Sequence, residues 1–118
     1  MTATNATFKD GRLALEFSDG TKISASYWRI IPVNQKHFSS FDVGQKYGME
    51  TPLDMDSEIK KCILKQTVTS AEISSAGDIT ITLANHAHLQ IFNFTSYEAW
   101  EIQFTDGTSE YSNYWKNN

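Results

Sequence analysis

Apolar and polar residues alternate in three stretches of the chain, each broken by a short turn spelling and then resumed. Leu13, Leu15 and Phe17 alternate with Arg12, Ala14 and Glu16, meet Ser18-Asp19-Gly20-Thr21 and continue through Ile23 to Tyr27-Trp28. Ile79, Ile81 and Leu83 alternate with Asp78, Thr80 and Thr82, meet Ala84-Asn85-His86-Ala87 and continue through Leu89 and Ile91. Trp100, Ile102 and Phe104 alternate with Glu101 and Gln103, meet Thr105-Asp106-Gly107-Thr108 and continue to Tyr114-Trp115. A period of two with one apolar face is the pattern of a half-buried strand, and the turn residues between make each stretch a hairpin. The first and third hairpins share Phe-[Ser/Thr]-Asp-Gly-Thr followed by Tyr-Trp, with Phe17 to Trp28 and Phe104 to Trp115 both eleven apart.

The phase of the apolar residues selects the turn. A three-residue loop Ser18-Asp19-Gly20 pairs Leu15 with Ile23 and Phe17 with Thr21, whereas a two-residue loop would turn Ile23 to the opposite side of the sheet. The longer loop needs a left-handed residue in third place, which Gly20 supplies without steric cost. The same arithmetic pairs Ile81 with Leu89 and Ile79 with Ile91, placing His86 at the left-handed position. In the third hairpin a two-residue loop aligns Ile102 with Tyr111 and a three-residue loop aligns it with Glu110. The two-residue loop is expected, because it keeps a charge off the apolar face.

One segment carries helical spacing. Thr51-Pro52-Leu53-Asp54 offers a hydroxyl for the N-cap, proline for the first helical position and a carboxylate three residues on. Asp54, Asp56 and Glu58 come early and Lys60, Lys61 and Lys65 late, matching the helix macrodipole. Met55, Ile59, Cys62 and Ile63 form one stripe, which predicts a short amphipathic helix lying on a sheet. Before it, the nineteen residues from Pro32 to Glu50 show no periodicity and form a long loop, a length that in compact domains is usually functional or mobile. Gln66 to Ser74 reads as a strand entering the second hairpin at Ser75-Ala76-Gly77. The expectation is a single α+β domain over 1–118, mainly antiparallel. It has about seven strands built from three hairpins, forming a curved sheet or partly open barrel with one short helix packed on it.

Composition narrows the class without naming an activity. With 118 residues, 40% hydrophobic and 20% charged, the chain is long enough for one core and too apolar for intrinsic disorder. No apolar run approaches the length that spans a bilayer, and Met1 to Asp10 lacks the basic and apolar regions of a secretory signal. Asn5-Ala-Thr7 and Asn93-Phe-Thr95 spell glycosylation acceptors, which are chance matches without a secretory route. The lone Cys62 fits a reducing, cytoplasmic compartment.

The net charge of −4 is uneven along the chain: residues 1–66 carry nine basic and eight acidic side chains, residues 67–118 one basic and six acidic. Glu72, Asp78, Glu98, Glu101, Asp106 and Glu110 supply that acid. It is either a solvated face or a docking surface for a basic partner, with Tyr and Trp as anchors. Direct nucleic-acid binding is not expected from an acidic chain whose lysines cluster at a helix end. Phosphate-loop, nucleophile-elbow and zinc-protease spellings are missing, so no catalytic residue is assigned. His86 and His88 could share a face as metal ligands, with Cys62 and His37 as further candidates. His86 already has a role in its turn, so no metal and no cofactor are expected. His37 and Asp42 could form an acid–base pair if the long loop folds back, or stand as two solvated residues.

The segments Gly11-Arg-Leu-Ala-Leu-Glu-Phe-Ser-Asp-Gly20 and Tyr97-Glu-Ala-Trp-Glu-Ile-Gln-Phe-Thr-Asp-Gly107, with Asp42 to Asp54 between them, resemble small bacterial β-proteins. Some of these accompany polymorphic or contact-dependent toxins as immunity proteins. The resemblance implies a non-catalytic cytoplasmic protein that binds one cognate toxin, often a basic nuclease, and blocks it. Asp42, Glu98, Glu101, Asp106, Glu110 and Tyr114 are the expected partner-binding residues, the acids as one outward anionic patch. The alternative is a small-ligand module or minor enzyme with a pocket under the 32–50 loop, using His37, Asp42 and Lys46.

Overall fold

The computed structural model describes residues 1–95 and 98–112. Its strands are β1 (Ala3–Lys9), β2 (Arg12–Phe17), β3 (Lys22–Ala25), β4 (Trp28–Ile31), β5 (Phe38–Ser39), β6 (Val68–Ile73), β7 (Ile79–Leu83), β8 (His88–Ile91), β9 (Trp100–Gln103) and β10 (Ser109–Tyr111). One helix, α1, covers Met55–Ile63. The ten strands form two open five-stranded antiparallel sheets, ordered β1-β2-β3-β9-β10 and β5-β4-β8-β7-β6. This corrects the expectation of about seven strands in one curved sheet or partly open barrel. Two sequence features hid two of the three additional strands, β1 and β4, while the third, β5, is only two residues long. In β1 a register shift between Ala3 and Asn5 breaks the period of two, so the buried residues are Ala3 and Ala6. Residues 23–28, read as one strand, bend at Ser26-Tyr27, and the chain passes from the first sheet (β3) to the second (β4).

The β1–β2 turn is a two-residue loop, Asp10-Gly11, with both residues at positive φ (54° and 79°), and the other four hairpin turns follow one rule. In the β2–β3 turn Phe17 N–H donates to Thr21 O and Gly20 N–H to Phe17 O. The same pair of bonds recurs at Ser74/Asp78, Leu83/Ala87 and Phe104/Thr108. Each is a three-residue loop whose third residue has positive φ: Gly20 (92°), Gly77 (88°), His86 (67°) and Gly107 (87°). The registers Leu15↔Ile23, Ile81↔Leu89 and Ile79↔Ile91 are as expected. The third hairpin is corrected: it too has a three-residue loop, with Ile102 opposite Glu110. Turn chemistry prevails there because β10 is an edge strand with all three residues exposed, so a charge beside Ile102 costs little desolvation.

The helix buries the expected stripe of Met55, Ile59, Cys62 and Ile63. Its N-cap is Asp54, whose carboxylate accepts from Ser57 N–H at 3.2 Å, rather than Thr51. The helix rests on β1. Residues from both sheets and the helix join in one core around Trp28, Leu13, Leu15, Ile59, Leu89 and Trp100. Trp100 Nε1 donates to Gly77 O at 2.8 Å, tying the first sheet to the β6–β7 turn of the second. No helix among the described residues is long and apolar enough to cross a membrane.

Candidate functional site

The acidic residues of the C-terminal half separate into distinct places. Glu101 lies opposite Ser24 and Tyr111, on the face of the first sheet turned from the core, and borders a depression with Glu98 and Arg12. Arg12 donates there to Ser26 Oγ at 2.7 Å and Ser24 Oγ at 3.2 Å, placing positive charge beside the two glutamates. A hydrogen bond to Glu101, and the charge of that carboxylate, raise the Tyr111 phenol above its ordinary value. Glu110, opposite Ile102, points to the other face of the same sheet. Asp106 is held in its turn by Thr108 N–H (2.9 Å) and Thr108 Oγ1 (2.6 Å), which lower its pKa. Glu72 lies on β6 of the second sheet and Asp78 at the end of the β6–β7 turn, where it accepts from Asn93 N–H at 2.7 Å. The expectation of one continuous anionic patch is therefore corrected: strand alternation and the split into two sheets disperse it. The helix lysines do not neutralise it, since Lys60 pairs with Asp56 (2.5 Å) and Lys61 with Glu58 (3.5 Å). Tyr114 lies outside the described residues.

A different surface stands out on the second sheet. Phe92 and Phe94 stack with centroids 5.0 Å apart and planes 1° from parallel. Tyr27 (5.6 Å) and Phe41 (6.4 Å) flank Phe94, and the Arg29 guanidinium lies 5.4 Å from the Phe92 centroid. Phe94 is 60% and Phe41 69% exposed, so these rings meet one another while still facing solvent. Strand parity produces the cluster: Leu89 and Ile91 face the core, and Phe92 continues the phase of the opposite face. That phase was readable in the sequence; the approach of Tyr27 and Phe41, from distant segments, was not. Asn93, between the stacked rings, donates its side-chain amide to Ala76 O at 2.9 Å.

The long loop is partly ordered by its own residues. Phe38 and Ser39 form β5, and Ser39 caps a 3₁₀ turn, Ser40–Asp42, in which Asp42 accepts from Ser39 N–H at 2.8 Å. Tyr47 also donates to Asp42, which raises the Tyr47 pKa. Among the described residues no hydrogen bond joins Asp42 to His37, so the acid–base pair is not assembled. The loop does border a concavity of about 610 Å³ that includes His37, Asp42 and Lys46.

The soft ligands remain apart. His86 sits in its turn, His88 Nδ1 is 3.2 Å from Thr82 Oγ1, and burial raises the Cys62 thiol pKa. Among the described residues no group of three or more His, Cys, Asp or Glu side chains is placed to hold a metal ion. No protein-family model matches the chain, and comparison with curated proteins and with solved structures gives no match.

Proposed function

We propose that the chain is a non-catalytic binding protein that docks on and blocks a basic protein domain, in the manner of an immunity protein facing its toxin. The observation that carries this reading is the aromatic cluster in which exposed Phe41 and Phe94 join half-buried Tyr27, Phe92 and Arg29. Aromatic rings and arginine are the residues that dominate binding energy when desolvated at the centre of an interface. Exposed ring faces also attract arginine and lysine through the ring quadrupole. A net charge of −4 favours encounter with a cationic partner, and the acids on several faces act through the long-range field of the whole molecule. Affinity then resides in the aromatic cluster, while charge governs the association rate.

The test is co-purification from the producing cell, followed by calorimetric titration of the recovered partner against two variants. The Phe41→Ser/Phe94→Ser pair is expected to weaken binding by about 100-fold or more. Combined charge reversal at Glu98, Glu101 and Glu110 is expected to act mainly on the association rate and its salt dependence. An acidic partner, or an affinity indifferent to loss of both phenylalanines, sinks the proposal.

A further inference from the structure

We propose that the concavity beside the 35–49 segment is a binding site for an apolar carboxylate, separate from the aromatic docking surface. Its volume of about 610 Å³ suits a small organic molecule. The chemistry follows from which lining groups are already engaged. Asp42 is held by Ser39 N–H and the Tyr47 hydroxyl, and Glu58 lies 3.5 Å from Lys61. Lys36, His37 and Lys46 also line the space and have no ion-pair partner among the described residues. Cationic capacity is thus left over where both carboxylates are committed.

The remaining wall is apolar. Phe38, Leu53 and Met49 line it, Phe38 being buried and Met49 66% exposed. One negative head met by lysine and a hydrocarbon body against Phe38, Leu53 and Met49 satisfies both halves of the site. A bare inorganic anion would leave the apolar wall wet, and an uncharged hydrocarbon would forgo the charge-assisted contact that the exposed lysines offer.

The experiment is a two-dimensional amide NMR titration of the full chain with octanoate, octanol and inorganic phosphate in turn. Octanoate is expected to shift resonances of residues 35–49 and Leu53 saturably, with Kd below about 1 mM. The Lys36→Gln/Lys46→Gln pair should weaken it by about tenfold or more. Met49→Glu, at an exposed position, should do the same by setting a carboxylate in the site. Melting temperature checks that both variants remain folded. Octanol or phosphate binding as tightly as octanoate, or no saturable shift by about 10 mM octanoate, would overturn the proposal.

Discussion

The Asp56 carboxylate accepts a hydrogen bond from the backbone N–H of Phe8 at 2.9 Å, joining the first turn of α1 to β1, the edge strand of the first sheet. Edge amides invite pairing with another chain, and here a helix side chain covers one of them. Lys60, one helical turn on, pairs with the same carboxylate at 2.5 Å. Asp56→Ala should therefore destabilise the chain by about 1 kcal/mol, a modest figure because the carboxylate is partly solvated. The bonds from Lys60 and Phe8 lower the Asp56 pKa below 3.8. A lowered carboxylate pKa contributes stability above the unfolded value and loses it as pH falls through the folded one. Urea denaturation should show the Asp56→Ala penalty in full near neutral pH and shrinking below about pH 4.

The two buried tryptophans should respond differently to phenylalanine. Trp100 Nε1 donates to Gly77 O, whereas Trp28 Nε1 is buried with no partner among the described residues. Trp28 packs edge-on against Phe8 and Phe38, each with ring centroids 6.2 Å away. Both substitutions open a cavity, but Trp100→Phe also strands a carbonyl while Trp28→Phe removes an unsatisfied donor. Trp100→Phe should be the more destabilising by about 1–3 kcal/mol in equilibrium unfolding.

His86 occupies a left-handed position that glycine fills in the other three three-residue loops. His86→Gly should raise stability by up to about 1 kcal/mol, and Gly107→Ala should lower it by about 1 kcal/mol. Unfolding midpoints of the two variants measure both effects.

Tyr111 should report the state of Glu101. The hydrogen bond and charge of Glu101 raise the Tyr111 phenol. Glu101→Gln removes the charge, so the Tyr111 titration followed by NMR should move down toward 10.0.

Hairpins, the amphipathic helix and most registers were legible because their causes are local. A period of two, Asx residues in the turns and a third-place residue with positive φ act within a dozen residues. Asp19, Asn85 and Asp106 bind the backbone two positions on at 2.9–3.0 Å in all three expected hairpins. The third register departs from the apolar phase because the Phe-Thr-Asp-Gly-Thr spelling it shares with the first hairpin fixes a three-residue loop. Of the expected site residues, Asp42 lies at a concavity and Glu98 beside Glu101, while Asp106 and Glu110 lie elsewhere.

Sequence alone determined where the three hairpins and the helix lie, which face of their strands is apolar, and how the helix is charged. Tertiary structure decided that β3 and β4 enter different sheets, that β10 ends one of them, and that Tyr27, Phe41 and Phe94 meet. Those outcomes depend on long-range pairing, and hydrogen bonds between distant strands leave no periodic trace in either partner's own residues.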